Sequence, residues 1–179
     1  MCSRALRAFA LLFVAFLASD VEAKVFFTQK EALEQAFPDA DRIEQTTFVL
    51  TTEQVDAIQK QSRSRLGSRL VSLHTAWRGD EVLGYAHIDV HTVRTKSEGF
   101  IIVLDPDGRV GSVRVLAFYE PLDYLPSERW YAGFIGKGRA DGLRIGRDVD
   151  AVSGATLSAQ AAAEGVRRML AYYTVLLGA

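Results

Sequence analysis

The residues with the clearest chemical potential form a short run near the end of the chain, Asp150-Ala151-Val152-Ser153-Gly154-Ala155-Thr156-Leu157-Ser158. At its centre a hydroxyl is flanked by small residues, and an amphipathic helix is predicted to follow over 158–177. Glycine at 154 permits a sharp turn into that helix. Free amides and the helix dipole at a helix start favour a bound phosphate. The run therefore predicts that Thr156 offers an open hydroxyl at a phosphate-binding helix start.

A simpler interpretation of the same run is structural. Threonine and serine are favoured helix caps, so the hydroxyl of Thr156 or Ser158 would only satisfy the first amides of the helix. Ser153 as a hydrolase nucleophile lacks an evident base, and the chain contains no G-x-S-x-G elbow, P-loop or dinucleotide fingerprint.

Three residues at alternate positions, His87, Asp89 and His91, suggest a metal site at first sight. On a strand the two histidines lie about 13 Å apart, at roughly 3.3 Å per residue, which is too far for one ion. Their neighbours at 86, 88 and 90 are apolar. We therefore expect a half-buried strand with these histidines on its polar face, and no metal site.

Two helices are predicted before the sheet. Thr28-x-x-Glu31 and Thr51-x-x-Gln54 are capping boxes, and each precedes apolar residues at helical spacing. Pro38 ends the first helix. Between them, Ile43 to Leu50 has the composition of a strand.

A change to period-two alternation predicts four strands, near 69–77, 81–94, 99–104 and 109–119. They are separated by Arg78-Gly79-Asp80, by a polar patch from Lys96 to Glu98, and by Asp105-Pro106-Asp107-Gly108. Residues 120–149 are predicted to be mostly irregular. The expected fold is α+β: a twisted antiparallel meander packed with N-terminal helices and with a C-terminal helix following the SGAT loop.

Together with two upstream segments, the SGAT run resembles a known family. The segments are Glu120-Pro121-Leu122 after the last strand, and Trp130-Tyr131-Ala132-Gly133-Phe134-Ile135-Gly136-Lys137. In this order they are similar to the FMN-binding domains of flavin subunits in the Rnf and sodium-pumping NADH:quinone reductase complexes. The resemblance spans roughly residues 80–175.

This resemblance implies a covalent flavin. In the family, a D-x-x-[ST]-G-A-[ST] motif is recognised by a flavin transferase, which uses FAD and magnesium to place an FMN phosphoryl group on the last hydroxyl. Here that residue is Thr156. Its surroundings are Asp150, Ser153, Gly154, Ala155, Leu157 and Ser158.

The two upstream segments supply further candidates for the flavin site. Leu122, Trp130 and Phe134 have faces suited to an isoalloxazine ring, although each has an equally good interpretation as core. Lys137 would neutralise the flavin phosphate, or else be a solvated loop lysine, and Glu120 completes the set. Arg139, Arg144 and Arg147 are weaker candidates for the same cationic role.

The first 23 residues are predicted to be a signal peptide. Arg4 and Arg7 precede an apolar run from Ala8 to Ala18, and Val21-Glu22-Ala23 has the form of a cleavage site. The run is shorter than the roughly 20 residues that span a membrane. The alternative is that this segment is not cleaved and anchors the chain. Residues 24–179 are expected to form one domain, and they contain no cysteine, which excludes disulfides and thiolate metal sites there.

The expected function is electron transfer outside the cytoplasm by FMN bound to Thr156. The expected partners are a flavin transferase and a membrane or periplasmic redox protein. A net charge of −1 gives no indication of nucleic-acid binding. Two alternatives remain: a small periplasmic flavin-dependent reductase with His87 or His91 as proton donor, and a flavin-free binding or assembly module.

Overall fold

The computed structural model describes residues 24–93 and 96–178. The predicted signal peptide over residues 1–23 lies outside the described residues. Within the described ranges, no helix combines the length and the apolar character that crossing a membrane requires.

A six-stranded sheet forms the centre of the molecule. Its strands are β1 (Lys24–Val25), β2 (Arg42–Val49), β3 (Leu70–Arg78), β4 (Glu81–Val93), β5 (Lys96–Leu104) and β6 (Val110–Phe118). Their spatial order is β1-β6-β5-β4-β3-β2, and every neighbouring pair is antiparallel. The predicted α+β fold with an antiparallel meander is therefore confirmed.

Within residues 24–93 and 96–178, four helices and one 3-10 turn surround the sheet. They are α1 (Gln29–Ala36), α2 (Thr52–Ser62), the 3-10 turn Leu122–Tyr124, α3 (Glu128–Ala132) and α4 (Thr156–Leu176). Both predicted capping boxes are present: Thr28 and Thr51 each accept a bond from the backbone N–H three residues on, while Glu31 and Gln54 bond back. These reciprocal bonds satisfy amides that a helix start otherwise leaves free.

The sheet is covered on both faces, so its central strand is buried on both sides. Phe100, Ile102 and Leu104 of β5 face a core beneath α2 and α4. The alternate residues Ile101 and Val103 belong to a second core that also contains residues of α1. Successive side chains of a strand point to opposite faces, so this one strand supplies both cores.

One boundary prediction in this region is wrong. The polar patch from Lys96 to Glu98 is not a turn but the first part of β5, where Glu98 pairs with Phe118 and its side chain is completely buried. Glu98 has the same parity as Phe100 and Ile102, so the pleat directs it inward under α4. Three polar residues in a row concealed this period-two signal.

The expectation for the β4 histidines is wrong in one respect. His87, Asp89 and His91 share a face as predicted, but that face packs beneath α4: Asp89 is 6% exposed, and the side chains of His87 and His91 are 12% and 17% exposed. The opposite face carries Val90, which is 67% exposed. Alternation fixes which residues share a face, but it does not reveal which face a later helix will cover.

Candidate functional site

The SGAT loop leads directly into α4. Gly154 has a φ of +84°, in the left-handed region that favours glycine, so its predicted role in the sharp turn is confirmed. Ala155 is the N-cap residue and supplies no side-chain cap. The helix begins at Thr156, two residues earlier than predicted, which places the candidate threonine in its first turn.

The Thr156 side chain is open to solvent. Its hydroxyl donates to the backbone carbonyl of Val152 at 3.3 Å and caps no amide of α4. The backbone N–H groups of Thr156, Leu157 and Ser158 precede the first intrahelical bond, which joins the Ala159 N–H to the Ala155 carbonyl at 2.9 Å. Three amides and an accessible hydroxyl therefore meet at one helix start.

Ser158 serves a different purpose. It is 2% exposed, and its hydroxyl donates to Oε1 of Glu98 at 2.7 Å. The simple interpretation, in which Thr156 or Ser158 caps the helix, is therefore wrong for both residues. The bond instead fastens the first turn of α4 to the buried start of β5.

A narrow crevice opens beside this turn. Oε1 of Glu120 is buried there and has no hydrogen-bond partner in the part of the chain that the structure describes. Buried carboxylate oxygens are normally paired, so this atom is suited to accept from a bound group. Leu157 is 45% exposed at the crevice, and Leu122 is 51% exposed in the 3-10 turn that also holds Tyr124. The crevice is lined by Val93, Glu120, Tyr124, Gly154, Ala155, Leu157 and Ser158.

A wider groove of about 540 Å³ lies between α3 and the loop that precedes α4. Nε1 of Trp130 donates to the Asp150 carbonyl at 2.7 Å and so joins its two walls. The exposed Arg129 lines the α3 wall, and Ser153 lies at the other side. The groove therefore offers a cation and an indole edge close to the SGAT loop.

The structure does not bring all predicted site residues together. Phe134 is completely buried and contacts Trp130 edge-on at 5.1 Å between ring centroids, so it supports the tryptophan without offering a free face. The backbone of Lys137 pairs with Val110, which lies opposite Leu104. Glu98, near Thr156, lies about 20 Å from that end of β5 at roughly 3.3 Å per residue. A lysine side chain does not span this distance.

A buried row of charged side chains runs from this site beneath α4. Nδ1 of His91 lies 3.2 Å from Oδ2 of Asp89, and Nε2 of His91 lies 3.7 Å from Oε2 of Glu98. On the far side, Arg168 of α4 donates to Oδ2 of Asp89 at 2.6 Å. Gly165 makes this packing possible, because a Cβ there would lie 2.6 Å from Oδ2 of Asp89.

The charges of this row shift the pKa values of its members. Burial opposes a charged imidazole, but the hydrogen bond to Asp89 and the nearby carboxylates of Asp89 and Glu98 raise the pKa of His91 to about 9. Burial likewise opposes the Asp89 carboxylate, yet His91 and Arg168 lower its pKa to about 2. By contrast, burial lowers the pKa of His87. The row therefore holds a charged imidazole between two carboxylates.

Sequence reasoning missed Glu98 and Arg129 as site residues. The sequence did contain a signal for Glu98, because this residue occupies the next inward-facing position in the period-two alternation of β5. Arg129 had none, because only the fold of residues 127–153 places α3 across the groove from the SGAT loop.

Comparison with known proteins connects this geometry to a family. No curated protein matches the chain. Residues 95–171 match the family model described as the FMN-binding domain, an interval that includes β5, β6, α3, the SGAT loop and most of α4. Glu98, Glu120, Trp130 and Thr156 all lie inside it. Residues 95–171 therefore carry the match to the FMN-binding domain family that the SGAT run and its two upstream segments led us to expect.

Proposed function

We propose that this chain is an extracytoplasmic electron-transfer protein that carries FMN through a phosphoester bond to Thr156. The observation that carries the proposal is the exposed Thr156 hydroxyl at the start of α4, within the family match. Bound FMN would supply reversible transfer of one or two electrons.

The start of α4 fits a phosphodiester. The amides of Thr156, Leu157 and Ser158 have no acceptor within the helix, and the helix dipole is positive at this end. Together they favour a singly negative phosphodiester on the adjacent oxygen. Arg129, exposed in the neighbouring groove, is a better candidate cation than Lys137 because Ser153 lines the same groove.

Attachment would require a flavin transferase with FAD and magnesium. The Thr156 oxygen would bond to the FMN phosphorus while the pyrophosphate bond of FAD breaks, AMP leaves and the hydroxyl proton is released. The hydrogen bond from Thr156 to the Val152 carbonyl would be lost in this step. At 3.3 Å on an exposed side chain, that bond is weak and offers little resistance.

The crevice beside the turn offers a hydrogen-bond acceptor to the edge of an isoalloxazine ring lying over it. An isoalloxazine carries an imide N–H, and the unpaired Oε1 of Glu120 is an acceptor positioned for such a donor. The exposed side chains of Leu122 and Leu157 would cover part of an aromatic face. We therefore place the ring over this crevice.

The predicted signal peptide supports a location in the periplasm or at the outer face of the cytoplasmic membrane. A membrane or periplasmic redox protein would then exchange electrons with the flavin. The absence of cysteine from residues 24–179 is compatible with an oxidising compartment.

The attachment site can be tested by co-expression with a flavin transferase. We expect a fluorescent band on a denaturing gel for the unaltered chain and for Thr156→Ser, and no band for Thr156→Ala. Thr174→Val is the matched control: Thr174 lies in α4, and its hydroxyl bonds only within the helix, to the Leu170 carbonyl. A band retained in Thr156→Ala would contradict the proposed attachment.

A further inference from the structure

We propose that Glu98 and His91 form a buried proton-transfer pair that opens to the flavin crevice through the hydroxyl of Ser158. This inference rests on the proposed function, because the crevice is where we place the isoalloxazine ring. In this role, the two residues supply the proton that is taken up when the flavin is reduced.

The first argument is continuity between the site and the core. Ser158 lines the crevice and donates to Oε1 of Glu98 at 2.7 Å. The other oxygen of Glu98 lies 3.7 Å from Nε2 of His91. A hydroxyl is both donor and acceptor, so Ser158 is able to pass a proton between Glu98 and a group in the crevice.

The second argument comes from unpaired polar atoms. Oε2 of Glu98, Nε2 of His91 and the hydroxyl of Tyr131 are all buried without a hydrogen-bond partner among the described residues. A purely structural network would satisfy such atoms, since a buried polar atom without a partner destabilises the fold. Because the Nε2–H of the charged His91 and Oε2 of Glu98 have no other partner among the described residues, a proton moves between them without breaking another hydrogen bond.

The third argument is that the neighbouring groups set the direction in which His91 transfers a proton. The charged groups next to His91 are Asp89 of β4 and Glu98 of β5. His87 of β4 and Arg168 of α4 lie beside Asp89, Tyr131 of α3 lies near Glu98, and Arg168 also pairs with Glu164 at 3.8 Å. His91 and Arg168 together keep Asp89 ionised against the effect of burial. Nδ1 of His91 faces Asp89 and Nε2 faces Oε2 of Glu98, so a proton that leaves Nε2 has Glu98 as its acceptor.

The proton balance is simple. Two-electron reduction of a flavin consumes at least one proton, and the electrons come from the external redox partner. In our proposal, Nε2 of His91 gives its proton to Oε2 of Glu98, and rotation of the carboxyl group turns that proton towards Ser158. The Ser158 hydroxyl turns to the crevice, gives its proton there and takes the Glu98 proton in its place. Solvent later returns one proton to His91.

Proton uptake after rapid reduction of the FMN-loaded protein tests this path, with a pH-indicating dye in weak buffer. We expect Ser158→Ala and Glu98→Gln to slow uptake by tenfold or more, and Ser158→Thr to restore it. Thr174→Val, at the other end of α4, should leave the rate unchanged. Unchanged uptake in Ser158→Ala would overturn the relay, and this variant is decisive because it leaves both charges in place.

A second readout needs no flavin. Imidazole nitrogen shifts in the NMR spectrum of the apo protein report the titration of His91. We expect Glu98→Gln to lower its midpoint by about 1 pH unit, because one of two flanking charges is removed. An unchanged midpoint would overturn the pairing. Failure of the unaltered chain to acquire FMN would instead contradict the proposed function.

Discussion

The hydroxyl of Ser158 donates to Oε1 of Glu98 at 2.7 Å, and this one bond joins the first turn of α4 to the buried start of β5. Glu98 is completely buried, and Ser158 lies two residues after Thr156. The position of the candidate flavin-bearing threonine is thus tied to the centre of the sheet. The loop before α4 need not hold it alone.

Removal of the Ser158 hydroxyl should destabilise the fold. Ser158→Ala leaves a fully buried carboxylate without its hydrogen-bond donor, which costs about 1–3 kcal/mol. Urea denaturation of the unaltered chain and the variant measures the difference in the free energy of unfolding. Thr174→Val is the control in the same helix, and a loss below about 0.5 kcal/mol in Ser158→Ala would contradict the prediction.

Stability should fall as the pH rises from about 6.5 to 9. The pKa of His91 is raised to about 9 in the folded protein, so the protonated imidazole stabilises the fold fully below its unfolded pKa of about 6.5. That contribution is lost as the pH passes through 9, with a change of up to about 3 kcal/mol. Denaturation curves across this range measure it.

The variant His91→Gln identifies the group responsible. Glutamine cannot take up a proton in this range, so the pH dependence between 6.5 and 9 should flatten. If the slope persists in His91→Gln, another group is responsible and the pairing of His91 with Asp89 and Glu98 does not govern stability.

Gly165 should not tolerate alanine, although alanine is normally the better helix residue by about 1 kcal/mol. A Cβ at this position would lie 2.6 Å from Oδ2 of Asp89 and 3.2 Å from Cδ1 of Ile102. Arg168 and His91 hold Asp89, so it cannot move aside without losing both. We expect a net loss of about 1–3 kcal/mol in thermal or urea denaturation.

Gln160→Ala is the matched control for Gly165→Ala, because Gln160 is an exposed residue of the same helix. It should be neutral or slightly stabilising. Equal behaviour of the two variants would show that Asp89 does not pack closely against α4.

The exposed Leu157 at the crevice and the exposed Leu122 of the 3-10 turn should affect flavin binding more than folding. In a Thr156→Ala background, which removes the attachment oxygen, Leu122→Gln and Leu157→Gln should each weaken non-covalent FMN binding several-fold. The physical reason is loss of apolar contact with the ring, at roughly 25 cal/mol per Å² of buried apolar surface. Titration with FMN, followed by flavin fluorescence, measures the affinity.

Val49→Gln is the control for these substitutions, since Val49 is 74% exposed on β2, which lies at the opposite edge of the sheet from β1 and β6. It should leave FMN affinity unchanged. Equal affinity in the leucine variants and in this control would contradict the placement of the ring over the crevice.

Local signals in the sequence determined most of the secondary structure. Two capping boxes set the starts of α1 and α2, and period-two alternation located the strands, because both depend on neighbouring residues alone. The SGAT run and the segments after β6 were sufficient to indicate the FMN-binding family, and Gly154 to indicate the turn. A single amphipathic pattern was enough to predict α4.

Which faces those elements bury depends on contacts between residues far apart in the chain. The histidines of β4 lie beneath α4 because Arg168 and Gly165, about 80 residues away, accommodate their carboxylate neighbour Asp89. Glu98 became a buried partner of Ser158 through contact across 60 residues of chain. Lys137 was separated from Thr156 because the loop after α3 returns to Val110. Contacts between distant residues depend on the packing of whole elements. The residue pattern within one helix or strand does not identify the element against which it packs.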